Sequence, residues 1–201
     1  EKIGEIRKDL ANVVKLLRED KFDEAQKVID ESETSLNQVT QEAGPENAND
    51  RAIVSAQKLL FDQKARVIKE KGVSFSTDIA PLFNDNCARC HIDRQSGGLS
   101  LESYAAMGRG GTNGPLLVPG SSRRSLLLGK LIHPDDAQRM PRNGSQFSNE
   151  DLLLISTWID SGAKYDGKDP QMLLGDLIRT ASRPGMEKIE IPKATGTETV
   201  S

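Results

Sequence analysis

Both cysteines of this chain fall within five residues, Cys87-Ala88-Arg89-Cys90-His91. A disulfide framework scatters several cysteines along a chain, so two in one short motif point to a site and not to a stapled scaffold. The spacing has a physical logic. Two thiols one helical turn apart can each reach a vinyl group of a porphyrin and form a thioether. The next residue then projects its imidazole at the iron from the same side. This is the attachment sequence of a c-type haem. A porphyrin would also help the core: the chain is only 36% hydrophobic and 4% aromatic, and a buried macrocycle supplies apolar surface that the side chains lack.

Two other uses of Cys-x-x-Cys compete. A redox dithiol does not need His91. Half of a zinc site would want a second cysteine pair, and none exists; His133 is the only other histidine. With His91 on a haem iron, the sixth position is either open or filled by Met107, Met140, Met172, Met186 or His133. Met140 precedes Pro141 in a turn between two predicted helices, a stiff loop that can present a thioether to the far face of the iron. Methionine more often fills gaps in a core, and that is the preferred reading for Met107 and Met172. His133 is the rival ligand; its other role is to end an apolar helix and interact with the helix dipole.

Helical periodicity runs through the first third. Ile3, Ile6, Leu10, Val13 and Leu17 recur at spacings of three and four, which predicts an amphipathic helix. Phe22, Ala25, Val28, Ile29, Leu36 and Val39 form a second stripe that stops at Gly44-Pro45. Ile53, Ala56, Leu60 and Val67 form a third that stops at Gly72. Three antiparallel helices with short links would bury these stripes against one another. After residue 73 the charge thins and Gly, Pro and Ser rise. A helix is predicted over 76–90 with Ser76 as its cap and Pro81 in its first turns, and a short one over 99–106. Gly108 to Gly114 reads as a loop. Ser121 or Ser122 caps a helix carrying Leu126 to Ile132. Ser148 to Asp151 has a capping-box pattern, with Phe147 placed to staple onto Leu152, opening a helix that ends at Gly162. Residues 170–180 are a further helix, Ile189–Ile191 a possible short strand, and 194–201 a mobile tail.

Composition removes several function classes. The net charge is −3, from 27 basic and 30 acidic residues, without the basic excess of a general nucleic-acid binder. No apolar run approaches the length of a membrane span. The chain opens on Glu1, which reads as a processed or excised segment. Two histidines leave no room for a Ser/His/Asp arrangement, and the glycines near residue 110 follow no strand, so they are not a phosphate loop. Between Arg109 and Arg142 the cations Arg109, Arg123, Arg124, Lys130, Arg139 and Arg142 outnumber Asp135 and Asp136. Haem propionates or an acidic partner would use one or two of these arginines; a solvated loop face is the plainer alternative.

Residues 75–163 resemble the planctomycete-type cytochrome c domain, a relative of class I cytochromes c. The resemblance rests on pieces in order: Phe75 to Phe83 leading into Cys87, Cys90 and His91; Gly97-Gly98-Leu99 with Leu101; Leu117-Val118-Pro119-Gly120 before Ser125-Leu126-Leu127; Met140-Pro141; and Ser148 onward to Trp158-Ile159-Asp160-Ser161-Gly162-Ala163. Arg142 departs from it, standing where such domains often have a second proline. The resemblance implies His91 and Met140 as axial ligands, with Pro141, Trp158, Arg123 and Arg124 around one covalent haem c. The expected fold is all-α: a three-helix bundle over 1–72, a class I-like monohaem cytochrome c domain over 73–165, and a C-terminal helix and tail over 166–201. The expected function is single-electron transfer to redox partner proteins, with the bundle either a docking element within a larger complex or a spacer. A haem enzyme or a gas- or peroxide-binding module with a labile distal ligand is the alternative. Covalent haem implies a periplasmic or otherwise exported location.

Overall fold

The computed structural model describes residues 1–142, 144 and 146–181. Within them the chain forms eight α-helices and no strand; only two isolated bridges occur, Ser103 with Leu173 and Gly111 with Gly114. The expectations for Met186, Ile189–Ile191 and the tail lie outside the described residues.

The first three helices are α1 (Lys2–Arg18), α2 (Phe22–Ala43) and α3 (Arg51–Lys71). Their apolar stripes meet as expected. Ile6, Leu10, Val13 and Leu16 pack with Ala25, Ile29 and Leu36 and with Ala56, Leu60 and Val67 in one buried cluster. The breaks have local causes. Asp20 takes a positive φ of 56° in the α1–α2 turn, and Gly44 and Gly72 take +78° and +81° where α2 and α3 stop, a backbone state that costs glycine little. Asp50 starts α3 by accepting from the amides of Ala52 at 2.7 Å and Ile53 at 3.4 Å.

A second core holds α4 (Ala80–His91), α5 (Tyr104–Gly108), α6 (Leu126–Leu131), α7 (Asn149–Asp160) and α8 (Leu174–Ala181). Its buried residues include Phe83, Met107, Leu127, Leu131, Ile155, Trp158, Leu174 and Leu177, so α8 shares the core of the helices before it. Phe75, Phe83, Tyr104, Trp158 and Tyr165 form a linked set of rings. Centroids lie 5.2 Å apart for Phe75 and Tyr104, 5.3 Å for Phe75 and Trp158, and 4.9 Å for Tyr104 and Tyr165. A chain poor in aromatics has put five of its eight in one place, and tilted and edge contacts add to what burial alone supplies.

Three helix starts differ from expectation. The segment before α4 begins with a π-helical turn over Phe75–Ile79, capped by Ser74 and not Ser76. Asp166 decides this: it accepts from the Ser74 hydroxyl and from the Ser76 amide, the latter at 2.9 Å. The 99–106 helix starts only at Tyr104: the Leu101 amide donates to the His91 carbonyl at 2.8 Å, and Ser103 is the cap, its side chain accepting from the Ala106 amide. Residues Ser122–Arg124 form a 3-10 turn before α6. The predicted capping box of α7 is present: Ser148 and Asp151 exchange both bonds.

The two cores meet where α3 lies against α7. Lys64 on α3 is buried there, bonded to Glu33 of α2 at 2.6 Å and to Glu150 in the first turn of α7 at 2.5 Å. Burial alone would lower its ammonium, but the bonds to Glu150 and Glu33 outweigh that and hold it above the ordinary lysine value.

Candidate functional site

The motif occupies the last turns of α4. Ala80 and Phe83 of that helix are buried, and Cys87, one turn on, packs against the same core. Cys87 is half-buried, Cys90 is exposed, and the two thiols are unbridged. Burial, and then the neighbouring Cys90, push the Cys87 thiol up to about 12. A redox dithiol needs the opposite, a thiol shifted down toward the thiolate. No group of three or more His, Cys, Asp or Glu side chains among the described residues is arranged to hold a metal ion, so the zinc alternative finds no ligand set.

His91 ends α4, and the chain turns sharply after it. Its carbonyl accepts from Leu101, and Gly97 accepts from the Thr112 amide at 2.8 Å. The glycine-rich stretch is therefore a clasp between two backbones. A Cβ on Gly111 would lie 2.8 Å from the Gly97 oxygen, and one on Gly110 2.5 Å from that of Gly114. The His91 Nδ1 is buried and has no hydrogen-bond partner among the described residues. A polar atom left this way costs about 1–3 kcal/mol unless a bound group engages it; Gln63 Oε1 in the bundle is left the same way.

Met140 is half-buried and packs on the core that holds Cys87. Its amide donates to the Lys130 carbonyl of α6 at 2.9 Å, which closes the loop between them. Inside that loop the Asp135 amide lies 3.1 Å from His133 Nδ1, and the Arg139 guanidinium donates to the His133 carbonyl at 3.2 Å. One nitrogen of the His133 ring, Nδ1, is thus engaged locally. Met107 is fully buried and Met172 lies with its sulfur 3.9 Å from the Thr180 hydroxyl on α8, both in keeping with packing roles.

Trp158 is fully buried between Phe75 and Phe83, and its indole donates to the Lys164 carbonyl at 2.9 Å. Arg123 and Arg124 are exposed on the 3-10 turn. Asp160 fixes that turn, accepting from the Ser122 amide at 2.7 Å and the Ser122 hydroxyl at 3.0 Å. From the sequence, Asp160 was named only as part of the Trp158-to-Ala163 run, and this role was missed. A carboxylate in the last turn of a helix opposes the helix dipole, and that local conflict was the signal that its partner lay elsewhere.

So Cys87, Met140 and Trp158 share one apolar core, Cys90 and His91 follow on the same helical turn, and Arg123 and Arg124 stand outside on a tied turn. Two free thiols one turn apart, an adjacent imidazole and a thioether on the same core are a donor set that fits a c-type haem. Residues 87–144 match the family model for planctomycete cytochrome C. Over that stretch the chain is similar to a planctomycete-type cytochrome c domain. The match takes in the attachment motif and Met140-Pro141; the helix before the motif and α7 lie outside it. This cytochrome family implies a haem c cofactor, and its domains are usually exported. No curated protein and no solved structure matches the chain. None of the described helices is long and apolar enough to cross a membrane.

Proposed function

We propose that the chain is a monohaem cytochrome c that passes single electrons between exported redox proteins. The observation that carries this reading is the placement of Cys87 and Met140 against one apolar core, with His91 closing the same helix. Cys87 and Cys90 would hold the haem by thioethers, and His91 and Met140 would be the residues that ligate its iron. When bound, the haem provides the one-electron couple. Met140 is a neutral, soft ligand that favours ferrous iron and raises the potential above that of a bis-histidine site. Pro141 stiffens its loop, Trp158 backs the core, and Arg123 and Arg124 offer charge to the propionates.

The test is spectroscopic. Haem in the purified chain survives acid–acetone extraction. Met140→Ala removes the weak near-red charge-transfer band of ferric His/Met haem, lowers the potential and opens the iron to carbon monoxide, while His133→Ala does none of these. A Met140 variant that keeps the band while the His133 variant turns high-spin overturns the ligand assignment. Wild-type protein that already binds carbon monoxide or peroxide points instead to a haem enzyme or gas-binding module.

A further inference from the structure

The sequence holds one tryptophan and two tyrosines, and the fold brings all three to one place. The centroid of Trp158 lies 5.3 Å from that of Phe75, and Phe75 lies 5.2 Å from Tyr104 and 5.8 Å from Tyr165. Tyr104 and Tyr165 lie on each other at 4.9 Å with their planes 31° apart. These are the tilted and edge contacts in which aromatic faces and edges meet favourably. Trp158 and Phe75 are fully buried, while both tyrosines are half-buried. The set therefore runs from the middle of the core, where Cys87 and Met140 also pack, out to water.

Tyr165 is held in place at the outer end. Its hydroxyl donates to the Asp169 carbonyl at 2.6 Å. Gly167 passes so close that a Cβ there would collide with the Tyr165 hydroxyl and with Leu177. Its φ is not positive, so this glycine serves the phenol with space and not the turn with freedom. The Tyr104 hydroxyl is pinned in the same way, on the Ala163 carbonyl. Burial pushes both phenols up from their ordinary value, and the carboxylates of Asp169 and Asp166 add to the rise at Tyr165. Both phenols are thus neutral at physiological pH, and losing an electron means losing a proton too. The Trp158 indole N–H is bonded to the Lys164 carbonyl at 2.9 Å, an acceptor too weakly basic to take its proton.

We propose that Trp158, Tyr104 and Tyr165 form a relay that drains oxidising holes from the core, with Tyr165 as its outlet at the surface. A one-electron oxidant of the azidyl or peroxyl radical class takes an electron from Trp158 and becomes the anion. The oxidised indole takes an electron in turn from a tyrosine across Phe75, whose ring contacts all three, and is restored. Phe75 couples the rings without keeping the hole, because a benzene ring is harder to oxidise than indole or phenol. Tyr165 ends as a neutral phenoxyl radical, and its proton goes to water, which reaches this ring and not Trp158. The phenoxyl radical is the most stable state along the way, so the hole runs outward. A small thiol then returns a hydrogen atom to the Tyr165 oxygen. Met140 shares the core, and oxidation would turn its thioether into a polar sulfoxide; a hole that leaves through Tyr165 spares it. The inference rests on the ring geometry, and the electron-carrier reading adds only a use for it.

The full chain as purified, held oxidised, is exposed to azidyl radicals made by pulse radiolysis, which take an electron from indole faster than from phenol. In the wild type the indolyl absorption decays as the tyrosyl absorption grows, in a first-order step whose rate does not change with protein concentration. The pair Tyr104→Phe with Tyr165→Phe keeps both rings and loses that step. Peptide mapping after an equal dose finds the oxidation at Tyr165 in the wild type, and at Trp158 and Met140 in the pair. An indolyl signal in the wild type that decays only between molecules, or with no tyrosyl signal after it, overturns the relay, and this holds even if the pair fails to fold. Trp158 and Met140 oxidised as heavily in the wild type as in a folded pair overturn it as well. A first-order step whose product maps to Tyr104 and never to Tyr165 overturns the outlet. A chain that runs the relay but carries no haem leaves the relay standing and sinks the electron-carrier reading.

Discussion

Lys64 is the single side chain on which the join between the two cores most depends. Lys64→Ala removes three methylenes from a side chain that is 10% exposed, a loss of about 1–2 kcal/mol in apolar burial. It also removes two charge-assisted bonds. The carboxylates left behind, Glu33 and Glu150, are 39% and 47% exposed and regain water, so those bonds add only about 1 kcal/mol together. The expected cost is about 2–3 kcal/mol, or roughly 5–10 °C in Tm for a chain of this size. Lys64→Met keeps most of the stem and drops the charge, and costs about 1 kcal/mol or less. The pH dependence follows from the sign of the shift. The folded ammonium is held above 10.5, so its contribution is fully present below that value and is lost as pH rises through the folded one. The difference between wild type and Lys64→Met should therefore be flat from about pH 7 to about pH 10 and close only in stronger alkali. Chemical denaturation of the three proteins across that range measures it. Both variants falling within about 0.5 kcal/mol of wild type, the range of ordinary surface changes, would show that the two cores are not held through this residue.

Two further outcomes are expected. Asp160→Ala strips both bonds from Ser122 and should cost about 1–2 kcal/mol; limited proteolysis within 117–125 should rise ahead of any change in global unfolding. Gly111→Ala drives a methyl to 2.8 Å from the Gly97 oxygen and 3.1 Å from Leu99, which forces the clasp behind the haem motif apart and should cost about 1–3 kcal/mol. Thermal melts read both, and an unchanged Gly111→Ala protein would mean the two backbones do not approach as described.

What could be read from the sequence was what local spacing decides. The stripes from Ile3 to Leu17 and from Phe22 to Val39 predicted their helices because each turn repeats its own evidence, although Leu16 and not Leu17 is the buried residue at the end of the first. The capping box at Ser148 was legible because its two partners are three residues apart. The misplaced starts have distant causes. Ser74 rather than Ser76 caps the turn before α4 because Asp166 takes the Ser76 amide from 90 residues away. Ser122 fails to cap α6 because Asp160, 38 residues on, holds its hydroxyl. Lys64 fell among polar positions of an amphipathic helix, and periodicity cannot tell a lysine facing water from one facing two carboxylates. At the site, spacing singled out Cys87, Cys90 and His91 as candidates, and the following proline singled out Met140 beside its rival His133. The convergence of Cys87, Met140 and the aromatic rings on one core needed the fold.

The segment after α7 binds back to the beginning of the cytochrome domain. The Tyr104 hydroxyl donates to Ala163 at 2.6 Å, the Ala105 amide to Pro170 at 2.8 Å, and the Leu174 amide to Glu102 at 2.7 Å, while Asp166 reaches Ser74. These ties join parts of the chain made far apart in time. At about 5–20 residues per second, Cys87 and Cys90 emerge several seconds before the residues that cover the other side of their helix. Contacts of such long sequence separation also form late in folding, since loop closure precedes their reward. Cys87 therefore passes through an interval on an open chain, reachable from every side, before α8 and the strap ahead of it complete the core it packs against, while Cys90 stays exposed throughout.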